Sequence, residues 1–114
     1  MLLVQRVTNN PLQKQTVVLP DGVGVNFTMY FRPMQFGWFL NEISYKDFVL
    51  QGLRITNSPN MLHQFRHQIP FGMACYSKAN REPTQQNDFS SSASKLYMLT
   101  AEEVEEYAEF LRLG

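Results

Sequence analysis

The sequence predicts a mainly β fold, a small antiparallel β-sandwich or barrel with a short helix near residues 59–67 and a C-terminal helix at 101–112. Apolar and polar residues alternate over residues 23–31, which is the period of a half-buried strand. Strand-like segments recur about every 8 to 12 residues between short turns, as in a β-meander. After residue 58, and again after residue 100, the apolar spacing becomes helical.

A length of 114 residues fits one domain over 1–114, with a β body at 1–99 and an amphipathic helix at 100–112. The apolar run at residues 1–4 is too short for a secretory leader, and no stretch is long enough to span a bilayer. We therefore expect synthesis in the cytoplasm and no membrane partner.

A β-hairpin is predicted for residues 13–31. Its first strand covers 13–19, and the buried face of its second strand carries Val23, Val25, Phe27, Met29 and Phe31. The intervening Pro20, Asp21 and Gly22 favour a tight turn, because glycine adopts positive φ without steric cost.

The third predicted strand covers 37–45, with Trp38 and Leu40 on one face. Its other face carries Phe39, Ile43 and Tyr45. Lys46 and Asp47 offer a polar turn into the fourth strand.

That fourth strand is predicted for 48–55. It should place Val49, Leu53 and Ile55 on one side, with a bulge at Gly52.

The second half of the chain mixes helical and strand periods. Ser58 is a good N-cap for a short helix at 59–67, and Pro70 ends that helix. Residues 71–76 and 95–99 read as strands, joined by a polar and structureless connection at 77–94. Core positions are expected at Phe27, Met29, Trp38, Leu40, Leu53 and Leu62.

A capping box begins the C-terminal helix. The run from Thr100 to Glu103 allows the threonine hydroxyl to accept from the third helical N–H, while the glutamate bonds back to the cap. Apolar residues then recur at the i, i+3, i+4 and i+7 positions, which makes the helix at 101–112 amphipathic.

Catalytic patterns are scarce, so we predict no enzyme activity, cofactor, metal or small-molecule substrate. His63 and His67 have the spacing of two metal ligands on a helix, but no third histidine exists to complete a site. The single cysteine, Cys75, excludes an internal disulfide and lies in an apolar strand where thiols are inert. Serines 90–92 have no histidine near them in sequence to act as a base.

Opposite charges are concentrated in different parts of the chain. Residues 100–114 hold five glutamates and one arginine, a net charge of −4, whereas the remaining residues have a net charge of +4. The acidic tail could dock on the chain's own basic body or, head to tail, on another copy. We expect residues 78–92 and the helix at 101–112 to contact other subunits.

A single-stranded nucleic-acid-binding domain of OB-like fold is the alternative function. The aromatic residues that could stack on bases are Tyr30, Phe36, Phe39 and Tyr45. Cationic residues near them in sequence are Arg32, Lys46 and Arg54. The zero total charge argues against a general nucleic-acid binder, because phosphate affinity requires an excess of basic residues.

From about residue 12 to residue 100, the order of features resembles a family of small proteins at the centre of contractile-tailed bacteriophage baseplates, the cyanophage baseplate-plug type. The matching segments are QTVVLPDG at 15–22, GWFL at 37–40, GLRI at 52–55, NML at 60–62 and FGMA at 71–74. Asn41 and Glu42 depart from the acidic position that usually follows the tryptophan strand, and Pro59 replaces a glycine.

The resemblance implies a non-enzymatic structural component of the virion. Such a protein would join tail-tube, hub or sheath-attachment proteins of the baseplate and would occur as a symmetric homo-oligomer. No catalytic residue is carried over from the family. A basic body and an acidic helix would suit an assembly in which neighbouring subunits meet.

Overall fold

Alternation of apolar and polar residues organises the chain into two antiparallel sheets and one C-terminal helix, which confirms the predicted mainly β class. The computed structural model describes residues 1–5 and 7–113. The strands are β1 (Leu2–Leu3), β2 (Leu12–Val18), β3 (Gly24–Arg32), β4 (Gly37–Tyr45), β5 (Phe48–Leu50), β6 (Leu53–Arg54), β7 (Phe71–Ser77) and β8 (Ser94–Thr100). Helix α1 spans Ala101–Leu113, and among the described residues no helix is long and apolar enough to cross a membrane.

The larger sheet has the order β2-β3-β4-β5, with β6 also paired to β4. Its β2–β3 pair is the predicted hairpin. Gly22 has a φ of +90°, and Asp21 Oδ1 accepts a hydrogen bond of 3.2 Å from the Val23 N–H, so the turn is built as expected. Along β3 the buried side chains are Val25, Phe27, Met29 and Phe31.

A register shift in β4 changes which side chains enter the core. Thr28 pairs with Glu42 but Met29 pairs with Leu40, so Asn41 is an extra residue on β4. One inserted residue reverses the alternation beyond it. Ile43 is therefore buried with Leu40, and our prediction that Ile43 and Tyr45 would share the face of Phe39 is wrong.

The predicted fourth strand is interrupted. Gly52, with a φ of +76°, separates β5 from β6, so the expected irregularity at this glycine divides the strand in two. Leu53 and Ile55 face the core as predicted, although Leu53 is only half-buried. The placement of Val49 on the same side is wrong, because it is 55% exposed.

The smaller sheet has the order β1-β8-β7. Strand β1, which was not predicted, pairs with β8 over two residues and is too short to show a period. The segment 58–61 lies along the other edge of β7: Ser58 forms a bridge with Cys75, and the Met61 N–H donates to the Met73 carbonyl at 2.7 Å. Asn60 Oδ1 accepts the Met73 N–H at 3.1 Å in place of a backbone carbonyl.

This edge pairing corrects the predicted helix at 59–67. Only a 3-10 turn at His63–Phe65 forms there. Because residues 58–61 are extended alongside β7, their backbone groups cannot also make helical hydrogen bonds.

The two sheets enclose one apolar core, and α1 covers the outer side of the smaller sheet. Ala74 and Leu99, on that outer side, pack against Val104 of the helix. The predicted capping box is present: the Thr100 N–H donates to Glu103 Oε1 at 3.0 Å, and the Glu103 N–H donates to Thr100 Oγ1 at 3.3 Å. All the predicted core residues other than Leu53 are fully buried.

The connection at 77–94 is folded, contrary to the prediction of a structureless loop. Its Phe89 is buried edge-on against Trp38, with 5.8 Å between the ring centroids. The Trp38 indole donates to the Gln85 carbonyl at 3.1 Å. Asp88, also buried, pairs with Arg81 and accepts the Gln85 N–H at 2.8 Å. The segment thus closes one part of the core with its own polar network.

Candidate functional site: two opposed surfaces

The two histidines lie in different surroundings. His63 packs edge-on against Tyr107 of α1, with 5.4 Å between ring centroids, whereas His67 is exposed. Desolvation, followed by the nearby positive charges of Arg66 and His67, lowers the pKa of His63. In the part of the chain that the structure describes, no three metal-ligating side chains come together.

The candidate nucleophiles have structural roles. Cys75 is fully buried, and desolvation raises the pKa of its thiol to about 11, so the thiol is protonated at neutral pH. The hydroxyls of Ser90 and Ser91 donate to the carbonyls of Asn87 and Asp88 within the folded connection. These groups stabilise the local fold.

Among residues 1–5 and 7–113, the helix packs on the smaller sheet and leaves the outer side of the larger sheet uncovered, and we call that side the open face. One row across it follows directly from strand register, because Leu12 pairs with Tyr30, Tyr30 with Phe39 and Phe39 with Arg54. Arg32, two residues after Tyr30 on the same strand, lies over the same part of the sheet.

Cation–π contacts organise this row. The Arg32 guanidinium lies 4.8 Å from the centroid of Phe39 and 5.6 Å from that of Tyr30. Arg54 lies 5.6 Å from the Phe39 centroid. The side chains therefore hold one another in place on the exposed sheet.

Arg54 also fixes the turn at Pro33–Gln35. Its Nη1 donates to the Gln35 carbonyl at 3.2 Å and its Nη2 to the Phe36 carbonyl at 2.9 Å. A Cβ added to Gly37 would lie 2.7 Å from the guanidinium carbon, so glycine permits this close approach.

The turn presents two large apolar side chains to solvent. Met34 is 92% exposed and Phe36 is 69% exposed. Met34 lies beside a shallow hollow lined also by Leu12, Tyr30 and Arg32. Sequence reasoning missed Met34, because an isolated methionine between Pro33 and Gln35 carries no periodic signal.

The cations of the open face have no carboxylate partner within the described residues. The described residues form three ion pairs, which join Met1 to Glu103, Arg81 to Asp88 and Arg112 to Glu109. None of them includes Lys14, Arg32 or Arg54. The open face also carries the carboxylate Glu42, which lies in register with Thr28 and Lys14. With Lys14, Arg32 and Arg54 against this carboxylate, the face has a net positive charge, and it has exposed apolar area as well.

Most of the predicted stacking residues meet on this face. Tyr30, Phe39, Arg32 and Arg54 lie in the row, and Phe36 lies on the turn held by Arg54. Tyr45 does not join them, because the register shift turns it towards the core, where its ring lies 5.7 Å from that of Phe71. Lys46 lies over Tyr45 instead.

The second surface is the outer side of α1, which we call the acidic face. Its exposed carboxylates are Glu102, Glu105, Glu106 and Glu109. Phe110, one turn after Glu106, is 70% exposed. This surface therefore has the opposite charge to the open face and its own large apolar side chain.

Glu103 is the exception among the helix glutamates because it is partly turned towards the body. Partial burial opposes its ionisation, but hydrogen bonds from the Met1 amino group and from Thr100 outweigh that effect and lower its pKa. Glu103 thus stabilises the start of the helix.

The two faces lie on opposite sides of the molecule. The layer order is acidic face, smaller sheet, apolar core, larger sheet and open face, because α1 packs on the outer side of β7 and β8. The acidic helix therefore cannot reach the open face of its own chain.

No protein-family model matches the chain, and no curated protein is significantly similar to it.

Proposed function

We propose that this chain is a non-enzymatic structural component of a phage tail baseplate, joining tail-tube, hub or sheath-attachment proteins in the virion. The observation that carries the proposal is the pair of opposed, oppositely charged surfaces on one sandwich. A component of an assembly needs two such surfaces, since one contact must lead to the next. The motifs at 37–40, 52–55 and 71–74, which resemble the baseplate-plug type, give the setting.

The rigid supports of both surfaces favour a structural role. The open face lies on a five-stranded sheet, and α1 is fixed by a cap and by apolar contacts to the smaller sheet. Preformed surfaces lose little conformational freedom when they bind. The fully buried, protonated Cys75 and the packing of His63 against Tyr107 give no comparable support for catalysis.

Immuno-electron microscopy of phage particles from a culture that encodes this chain tests the proposal. An antibody against the chain should label one end of the contractile tail, and the chain should be present in particles purified by density gradient. A chain that is abundant in the producing cells but absent from those particles would contradict the proposal. Antibody against a major capsid protein provides the control for particle integrity.

Single-stranded nucleic-acid binding is a second candidate, which the row of Tyr30, Phe39, Arg32 and Arg54 favours. Aromatic rings and arginines on one sheet suit base stacking and phosphate contact. Base stacking on Phe39 has an obstacle, because its ring already contacts both guanidiniums, which would have to move before a base could stack on it. The fold also consists of two separate sheets, in contrast to the single five-stranded barrel of an OB domain.

Fluorescence anisotropy with single-stranded oligonucleotides tests this second candidate. Binding that weakens with salt and is lost in Phe39→Ala would support it, because stacking contributes about 1 to 3 kcal/mol per base. Binding that persists unchanged in that variant would exclude the row as the site. Phe110→Ala, on the opposite face, is the matched aromatic control.

A further inference from the structure

We infer that the open face of one chain receives the acidic face of a second copy, so that subunits join head to tail. This inference rests on the proposed assembly function and names the partner of both surfaces. The sequence leaves two ways to compensate the charge split, namely docking within one chain or between copies. The helix does pack on its own chain, where the Met1 amino group pairs with Glu103. The layer order nevertheless keeps its outer carboxylates away from the open face of the same chain, because both sheets and the core lie between them.

Charge complementarity is the first argument for a second copy as the occupant. The acidic face offers Glu102, Glu106 and Glu109, while the open face offers Arg32 and Arg54 without carboxylate partners among the described residues. Arginine pairs with carboxylates in a two-pronged arrangement that fixes orientation as well as charge. The ion pair between Arg112 and Glu109 is highly exposed, so it can be exchanged for a contact with the neighbour.

Apolar complementarity is the second argument. Phe110 projects from the acidic face, and the hollow beside Met34 on the open face is bordered by Leu12 and Tyr30. An aromatic side chain in an apolar pocket surrounded by charged pairs is a typical interface centre. Glu106 lies one turn before Phe110 and would reach the guanidiniums while the ring occupies the hollow.

The contact is heterologous, since different patches of the two chains meet. Each pair keeps one free acidic face and one free open face, so addition continues until a ring closes or a filament grows. A symmetric ring would meet the requirement of a baseplate for several copies.

Two variants that each lose one surface provide the sharpest test. Arg32→Glu reverses charge on the open face, and the double variant Glu106→Gln with Phe110→Ser removes both features of the acidic face. Wild-type chain should form oligomers that grow with concentration in analytical ultracentrifugation. Either variant alone should associate roughly tenfold more weakly. Mixed together, they should form a dimer and nothing larger, because the mixture contains one intact contact.

The mixing result distinguishes this arrangement from a symmetric one. If open faces met open faces, or helices met helices, mixing the variants would restore nothing, and the inference would be wrong. A wild-type chain that stays monomeric at millimolar concentration would also overturn it. Lys95→Glu, which makes the same charge change on the smaller sheet, should associate like wild type, and far-UV circular dichroism should show the same fold for every variant.

The outcomes separate this inference from the proposed function. Particles that contain the chain, together with a monomeric chain in solution, would contradict the head-to-tail contact and leave the baseplate role standing. If the oligomers behave as predicted but the chain is absent from particles, the head-to-tail contact would stand and the baseplate role would be contradicted. An oligonucleotide that binds the wild-type chain with no self-association would assign the open face to nucleic acid and overturn the inference.

Discussion

The outer sides of the two sheets differ in what covers them, and this difference determines which residues they carry. Beneath α1, the smaller sheet has the small residue Ala74 together with Leu99. On the open face, the outward-facing positions of the larger sheet hold Tyr30, Arg32 and Phe39. Small residues allow a helix to approach closely, whereas long amphipathic side chains can cover an exposed sheet themselves.

The burial of the central strands shows the same contrast. Five consecutive residues of β7, from Phe71 to Cys75, are buried, because one side faces the core and the other faces α1 or the segment at 58–61. Along β3, buried and exposed positions alternate. A continuous buried run therefore indicates a strand covered on both sides, even in an antiparallel sheet.

The largest expected effect is a difference in stability between alanine variants at two adjacent residues of β4. Trp38→Ala is expected to lower the free energy of unfolding by about 3 to 5 kcal/mol, since it empties a site packed by Phe31 and Phe89. Phe39→Ala, on the open face, should cost about 1 kcal/mol or less. Urea unfolding of both variants tests the comparison, and equal losses would show that the open face is covered.

Replacing one glycine on each sheet with alanine should show the same difference between the covered smaller sheet and the open face. A Cβ at Gly72 would lie 2.7 Å from Asn60 Oδ1, so Gly72→Ala should cost about 1 to 3 kcal/mol. Nothing lies within 4 Å of a Cβ at Gly24, which is on the open face. Gly24→Ala should therefore be neutral or stabilise by up to about 1 kcal/mol. The opposite order in thermal unfolding would contradict the assignment of the two sides.

Removing the N-cap of α1, the helix that covers the smaller sheet, should have a smaller effect on stability. Thr100→Ala removes the hydroxyl that accepts the Glu103 N–H and should cost about 1 kcal/mol. Hydrogen exchange should increase in the first turn of α1 and stay unchanged in β3. Thr100→Ser keeps the hydroxyl and should behave like wild type, whereas a loss as large as that of alanine would mean that the methyl group matters instead.

The smallest expected effect is a dependence of stability on pH that arises from His63, which packs against α1. The pKa of His63 is lowered in the folded protein, so the unfolded chain binds the proton more readily. Stability should therefore decline as the pH falls below about 6.5, the ordinary histidine pKa, and this loss should level off below the folded pKa.

Urea unfolding at pH 7.5 and pH 5.5 measures this loss. His63→Gln should reduce the loss, because glutamine does not titrate in this range. His67→Gln should retain most of the loss, because desolvation, the largest cause of the lowered pKa of His63, is unchanged, and only the smaller contribution of the His67 charge is removed. The same loss in His63→Gln as in wild type would assign it to another group.

Sequence patterns identified the regular elements well. The hairpin follows from a strict alternation around a Pro-Asp-Gly turn, and α1 follows from a capping box and a helical apolar stripe. These signals are local, so no distant residue is needed to interpret them. The prediction failed at Ile43 and Tyr45, where an unpaired Asn41 reverses the alternation, since a bulge depends on the partner strand.

The candidate surfaces were only partly predictable. Tyr30, Phe39, Arg32 and Arg54 were named from the sequence, but their alignment in one row depends on the registers of four strands. The exposure of Met34 depends on the turn that Arg54 holds.

Local patterns and composition were sufficient to predict the mainly β class, the capped C-terminal helix, and the division of charge between the body and the acidic tail. Those properties follow from local periodicity and from counting residues. Contacts between distant parts of the chain were needed to show that residues 58–61 extend along β7 instead of forming a helix, and that α1 lies on the side away from the open face. Both features depend on which distant backbone and apolar groups meet. Buried hydrogen-bonding groups must be paired, and each sheet has two sides to cover.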